Sequence, residues 1–316
     1  MDSSTKIFVA GHRGMVGAAI TRRLQAGGYT NLLLRTRQEL DLSDQAAVHA
    51  FYAEHKPDLV ILAAALVGGI EANRSRPADF IGHNLAIQQN VVWGAHLHNV
   101  PRLMFLGSSC VYPRETPQPI PETAVLTGPP EPTNAPYAIA KISGMVMAES
   151  IHRQYGRDYF TVMPPNVYGD GDNFDPTGSH VMAAMIRRFH LALPGTDVTC
   201  WGSGNPRREF LHCDDVADAI VFLLEQSALP DRVYNIGTGT SVSIREVAET
   251  VQRVTGHTGQ IHWDTTKPDG FPEKTNDVSR LFGLGWQPKI AFEEGVQRAY
   301  RWYLDNMPEA KSVAPV

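Results

Sequence analysis

Short runs that are apolar throughout, separated by stretches of helical periodicity, constrain this chain more than any other feature. "KIFVAG" is followed by a helical pattern at 15–27, "NLLLRT" by one at 44–55, "LVILAAA" by 79–98 and "RLMFLGSS" by 137–155, ahead of "DYFTVMPPNVYG". A strand that is apolar on both faces has to be covered on both, and a helix between successive strands makes their pairing parallel. The pattern predicts an α/β chain with a Rossmann-type doubly wound parallel sheet. From about residue 170 it loosens into glycine and proline clusters at 169–178, 194–206 and 265–272, with further helical stretches at 243–256 and 291–305. Two units are expected: a sheet unit from 1–168 plus about 211–237, and a smaller α/β unit from about 169–210 plus 238–316.

The first strand ends in "GHRGMVGAAI", with Gly11, Gly14 and Gly17 between strand and helix, where backbone amides and a helix N-terminus can hold a pyrophosphate. The spacing G-x-x-G-x-x-G alone also suits a tight turn packed against a helix. Its place on the first strand of a βαβ pattern points to dinucleotide binding. An acidic residue commonly closes the second strand when the ligand is NAD. Here "LLLRTRQELDL" offers Arg35 and Arg37, and Arg13 already stands in the glycine turn, which favours the 2'-phosphate of NADP over merely solvated arginines. Asp41 suits either an adenine amino group or a helix N-cap. The expected cofactor set also takes in Met15, Val16, Ala64 and Ala65.

"NAPYAIAKISG" places Tyr137 and Lys141 four apart, on one face of a helix. A phenol with a free pKa of about 10 exchanges its proton near neutrality only beside a stabilising cation. Lys141 can be that cation, and Ser108 of the preceding "GSSCVYP" can hold a carbonyl or alcohol oxygen beside Tyr137.

In this order, G-x-x-G-x-x-G, S-x-x-V-Y and Y-x-x-x-K resemble the extended short-chain dehydrogenase/reductase family, whose members act on nucleotide sugars. "GSSCVYP", "EPTNAPYAIAKISG", "DNF", "SHV", "WGSGNPRREFLH" and "KPDG" are similar to the GDP-L-fucose synthase branch of that family, over Lys6 to about Leu304. The resemblance implies 3,5-epimerisation of GDP-4-keto-6-deoxy-D-mannose followed by NADPH-dependent reduction of its C4 ketone. It implies Cys110 and His180 as the proton-transfer pair of the epimerisation, Ser108, Tyr137 and Lys141 as the reduction set, and Tyr137, Lys141 and His180 as cofactor contacts as well. For substrate it implies Asn166, Arg187 or Arg188, Trp201, Arg208 and Asp269. The plainer readings are a small core cysteine at Cys110, a hydrogen-bonding histidine at His180, a surface arginine and a packed tryptophan. Pro165 stands where threonine is expected and Glu273 where a basic residue is expected, although Lys274 follows.

"HCDD" at 212–215 could suggest a metal. The sequence predicts none, with Cys213 as an apolar filler and Asp214 or Asp215 as a helix cap; "HLH" at 96–98 has no third ligand nearby. With 28 Lys+Arg against 33 Asp+Glu and a formal charge of −5, the chain lacks the footprint of a nucleic-acid or membrane-surface binder. Three cysteines and no signal-like apolar segment suggest a reducing, cytoplasmic setting. Apolar residues on more than one face of 79–98 and 137–155 suggest a homodimer built on those helices, the alternative being burial within the monomer. Competing activities are a related GDP-deoxysugar epimerase/reductase, an epimerase without reduction, and a non-catalytic NADP sensor. A 4,6-dehydratase is disfavoured by Ser-Ser-Cys in the strand-end motif, and a 4-epimerase by having no use for Cys110 and His180.

Overall fold

The computed structural model describes residues 1–176, 178–267 and 269–308. Thr177, Pro268 of the "KPDG" motif and the stretch 309–316 of the expected smaller unit lie outside the described residues.

The apolar runs become strands: β1 (Ile7–Ala10), β2 (Leu32–Leu33), β3 (Leu59–Leu62), β4 (Arg102–Leu106) and β5 (Asp158–Met163). The chain then builds β6 (Asn166–Tyr168), β7 (Val198–Trp201), β8 (Arg207–Arg208) and β9 (Phe210–His212) before returning in β10 (Val233–Asn235). Last come β11 (Val242–Ser243), β12 (Ile261–Asp264) and β13 (Glu273–Lys274). The central sheet has the order β10-β5-β4-β3-β1-β2, every pair parallel, in register Ile7 with Leu59, Leu59 with Arg102, Arg102 with Asp158 and Thr161 with Val233. The sixth strand, "VYN", is too short to show as a run of its own. β1 and β3 are buried from end to end, as strands sandwiched between two helical layers must be.

Helices Met15–Ala26 and Cys213–Glu225 cover one face, and helices Gln45–His55, Pro77–Gln88 and Ala135–Tyr155 the other. The helix expected at 79–98 starts at Pro77, widens to π turns over Gln89–Trp93 and regains α geometry to Leu97; the Tyr52 hydroxyl donates to the Val91 carbonyl within the widened stretch at 3.0 Å. A separate core gathers Tyr168, Phe174, Ile186, Phe189, Val247, Val251, Val296 and Tyr303. Around it lie three small assemblies: β6 parallel to β9, β12 parallel to β7, and β11-β8-β13.

Helix Ile244–Thr255 belongs to this second core and opens with a capping box, the Ser243 hydroxyl accepting from the Glu246 amide at 3.1 Å and Glu246 Oε2 from the Ser243 amide at 2.7 Å. Ser243→Ala leaves one helix-end amide without its partner and should lower stability by about 1 kcal/mol, read as a shifted urea midpoint at unchanged slope.

Candidate active site

Sheet order reverses between β1 and β3, and the carboxyl ends of strands at such a point open a crevice. The glycine turn fills it with backbone. A Cβ on Gly17 would stand 2.1 Å from the Gly11 carbonyl oxygen, and one on Gly11 would stand 2.6 Å from the Ala64 amide, so both must be glycine. Gly14 caps helix Met15–Ala26 without a side-chain hydrogen bond, which leaves the amides around Met15 and Val16 facing the crevice. The Nδ1 atom of His12 is buried there with no partner. Such a cradle of bare amides beside the ends of β1 and β3, where Ala64 and Ala65 follow, fits a dinucleotide pyrophosphate.

At the end of β2, Arg35 hydrogen-bonds the Leu34 carbonyl, meets His55 Nε2 at 3.2 Å and stacks over Phe51. Arg37 is exposed and 4.0 Å from Asp41, and Arg13 is exposed in the glycine turn. These three can meet a 2'-phosphate. Asp41 is not the N-cap of the next helix. Asp44 takes that place, while Asp41 accepts from the Ser43 amide and hydroxyl in a turn of its own, which lowers its pKa.

The segment "GSSCVYP" is extended only as far as Ser108. Ser109–Val111 form a 3-10 turn, with the Ser108 hydroxyl accepting from the Cys110 amide at 3.2 Å. Ser109 is buried and its amide donates to the Pro164 carbonyl, so the turn, rather than strand alternation, removes it from the site. Lys141, fully enclosed, donates from Nζ to the Leu106 carbonyl at 2.7 Å and lies 5.9 Å from the centre of the Tyr137 ring. Burial pushes its pKa down to about 7, with Cys110 opposing. Burial also raises the Tyr137 phenol well above its ordinary value, Cys110 adds to this, and hydrogen bonding from Ser108 offsets part of it. Tyr137 is therefore a neutral acid that can give up a proton.

Cys110 is half-buried and shares the surroundings of Tyr137, Lys141 and Lys274. His180 is the N-cap of helix Val181–Leu191, on a loop pinned to the sheet unit by the Gly69 amide, which donates to the Gly178 carbonyl. Its ring keeps an edge open to solvent, while the crowding around it lowers its pKa. Among the described residues no hydrogen bond joins His180 to Cys110.

On the substrate side, Arg188 donates to the Thr199 carbonyl and lines an open groove with Ser179, Arg187 and Thr199. Trp201 is 67% exposed at the end of β7, with Lys267 over its ring. Such a bare indole with a lysine over it can stack on a base. Arg208 is held by the carbonyls of Arg207 and Phe271, both at 2.7 Å. Asn166 has its amide group committed to the Glu209 carbonyl at 2.9 Å, which leaves its carbonyl oxygen for a ligand. Asp269 is engaged by the Ser203 amide and hydroxyl, so it shapes the turn at 202–204 more directly than it can touch a substrate.

Sequence reasoning took Glu273 as a disturbed contact. Alternation along β13 turns it away, to accept from the hydroxyls of Ser241 at 2.9 Å and Thr275 at 3.1 Å, and leaves Lys274 in register with Arg208. Lys274 is thereby the basic group of this strand, its pKa lowered chiefly by burial. The spacing of one residue was the available signal. Neither aspartate of "HCDD" caps helix Cys213–Glu225. His212 does so, its Nδ1 accepting from the Asp214 amide, while Asp215 receives the amides of Lys289 and Ile290. The ligand atoms of His212, Cys213 and Asp214 lie within 4.8 Å of one another; the His212 Nδ1 is engaged in the cap, its Nε2 is buried without a partner, and burial pushes the Cys213 thiol up to about 12.

A sheet with this turn and this Ser-Tyr-Lys set defines a nucleotide-dependent oxidoreductase or epimerase. The sequence profile of the NAD dependent epimerase/dehydratase family matches residues 7–237, and the chain belongs to that family. It is 55% identical over 98% of its length to a putative GDP-L-fucose synthase 2 of Arabidopsis thaliana, of which 95% is covered. It is 50% identical to the GDP-L-fucose synthase of Escherichia coli, over 96% of this chain and 98% of that one. Among solved structures, a Campylobacter jejuni GDP-D-glycero-L-gluco-heptose synthase, crystallised in the presence of NADPH, superposes with a TM-score of 0.90 at 36% identity, over 96% of this chain and 99% of that one.

The depressed pKa of Lys141 fixes a sign. Between about 10.5 and about 7 the unfolded chain binds a proton that the folded one does not, so stability falls as pH drops through that window and levels off below it. Lys141→Met should therefore abolish reduction yet melt above the parent at pH near 7, with the gap closing toward pH 10 in calorimetry; a gap independent of pH would refute the assignment.

Proposed function

We propose that this chain is an NADP-dependent enzyme that epimerises GDP-4-keto-6-deoxy-D-mannose at C3 and C5 and reduces its C4 ketone, giving GDP-L-fucose. The observation that carries this reading is the single turn after β4, which sets Ser108 against Tyr137 and puts Cys110 two residues later among the same groups, in a chain alike along its length to GDP-L-fucose synthases.

The sheet unit, 1–168 plus about 211–237, holds the cofactor on Gly11, Gly14, Gly17 and the amides of Met15 and Val16, with Arg13, Arg35 and Arg37 for the 2'-phosphate. Bound NADPH supplies the hydride. The unit from 169–210 plus 238 onward receives the nucleotide: Trp201 for the base, Arg188 and Arg208 with Lys274 for the diphosphate, and Asn166 for the sugar. Cys110 and His180 exchange protons at carbons beside the ketone, one on each face of the ring, while Ser108 and Tyr137 hold the C4 oxygen as negative charge develops on it. Tyr137 then gives its proton to that oxygen, and Lys141, anchored on Leu106, steadies the phenolate left behind. A related GDP-deoxysugar product is the second reading, favoured by Pro165, which removes an amide donor beside Asn166.

Leu85, Ile139 and Val146 lie exposed on helices Pro77–Gln88 and Ala135–Tyr155, a pattern that supports a homodimer through these helices in a cytoplasmic enzyme. Among the described residues no helix is long and apolar enough to cross a membrane. Val146→Glu should shift the dimer toward monomer in sedimentation.

Incubation with GDP-4-keto-6-deoxy-D-mannose in D2O without NADPH should place deuterium at C3 and C5, seen by NMR, and NADPH should then yield GDP-L-fucose. No exchange at either carbon would overturn epimerisation; another sugar product would favour the second reading. Cys110→Ser should lose exchange and keep NADPH binding, whereas Tyr137→Phe should lose reduction first.

A further inference from the structure

Glu209 joins β8 to β9 and is fully buried, yet among the described residues no cation pairs with it. Its carboxylate is held by backbone amides instead. Oε1 accepts from Thr238 at 2.7 Å and Gly239 at 2.8 Å, and Oε2 accepts from Asn276 at 2.8 Å. The turn that supplies the first two amides wraps so tightly that a Cβ on Gly237 would stand 2.1 Å from Oε1. The main chain of the same residue is equally committed: its carbonyl accepts from the amide and the side chain of Asn166, and its amide donates to the Lys274 carbonyl at 3.2 Å.

Three segments far apart in sequence thus converge on one residue, and two of them, with the segment of Glu209 itself, carry proposed ligand contacts. Arg208 precedes it, Asn166 hangs from its carbonyl, and Lys274 lies two residues before the Asn276 amide. Arg208 and Lys274 are paired in register and carry like charge, so their spacing needs an anchor outside the pair. Burial pushes the Glu209 carboxyl up to about 7 against the pull of the amides, which marks a group kept in place at an energetic cost.

We propose that Glu209 is the positioning residue of the nucleotide-diphosphate site, its amide-clamped carboxylate setting the spacing of Arg208, Lys274 and Asn166. This rests on the GDP-sugar reading above. A carboxylate is required because three N–H donors converge on two oxygens. The amide of glutamine would turn its NH2 toward the Asn276 or the Thr238 and Gly239 donors and leave at least one buried N–H without an acceptor.

The test is titration calorimetry with GDP and with NADPH on the full chain. Glu209→Gln should weaken GDP binding about tenfold or more and raise KM for the GDP-sugar more than it lowers kcat, with NADPH affinity unchanged. In an Arg208→Ala background the same change should weaken GDP binding less than it does alone, because part of its effect acts through Arg208 and part through Lys274 and Asn166. Unchanged GDP affinity in a folded Glu209→Gln, or full additivity with Arg208→Ala, would overturn the positioning role alone; a parent protein that binds no GDP would overturn the functional reading with it. If Glu209→Gln does not fold, hydrogen exchange on the parent decides: GDP should slow exchange in peptides spanning 236–240 and 274–278 together, and unchanged exchange in both would overturn the proposal.

Discussion

The hydrogen bond from Lys141 to the carbonyl of Leu106 is the constraint on which the catalytic arrangement depends. It ties the first turns of helix Ala135–Tyr155 to the last residue of β4, and so fixes Tyr137 relative to the turn carrying Ser108 and Cys110. A lysine enclosed to this degree is unfavourable for the fold, since desolvation weakens its charge. The fold tolerates it because a cation near its neutral point, beside a neutral phenol, suits proton delivery at physiological pH. Stability and chemistry pull in opposite directions at this one side chain.

The two proposed proton-transfer systems share the three residues 108–110 without sharing a role. A 3-10 turn follows Ser108, and within it Ser109 is folded inward, its amide donating to the Pro164 carbonyl, while Ser108 and Cys110 both lie near Tyr137. His180 stands on the loop whose Gly178 carbonyl accepts from the Gly69 amide, so the proposed epimerising pair would draw on both expected units and the proposed reducing set on one.

Much of this was legible in the sequence because its causes are local. Five apolar runs named five of the six central strands, and Gly11 and Gly17 marked the turn after β1 because only glycine satisfies such close approaches. Tyr137 and Lys141 were legible from helical spacing. What escaped depends on partners distant in sequence: β10 is a three-residue strand visible only through its pairing with β5, and His212 rather than an aspartate caps its helix because the loop before it turns the imidazole back onto the Asp214 amide. Glu273 misled because a one-residue alternation decides which side chain of β13 faces the cleft. Glu209 carries no local signal, since an acid between Arg208 and Phe210 reads as a surface charge until Thr238, Gly239 and Asn276 are brought to it.

The position of β10 at the edge of the central sheet has a consequence for how the molecule comes into being. Its residues, Val233–Asn235, follow the whole stretch that forms β6 to β9, yet they pair with β5. During synthesis the sheet emerges with its β5 edge bare, and it stays bare until some seventy further residues have been made, of which only those before about 211 go to the second unit. The two units are therefore not successive beads on a chain. The central sheet is completed only after the first part of the second unit, 169–210, has been made, and an exposed apolar strand edge in the interval is where a nascent chain is most open to mispairing.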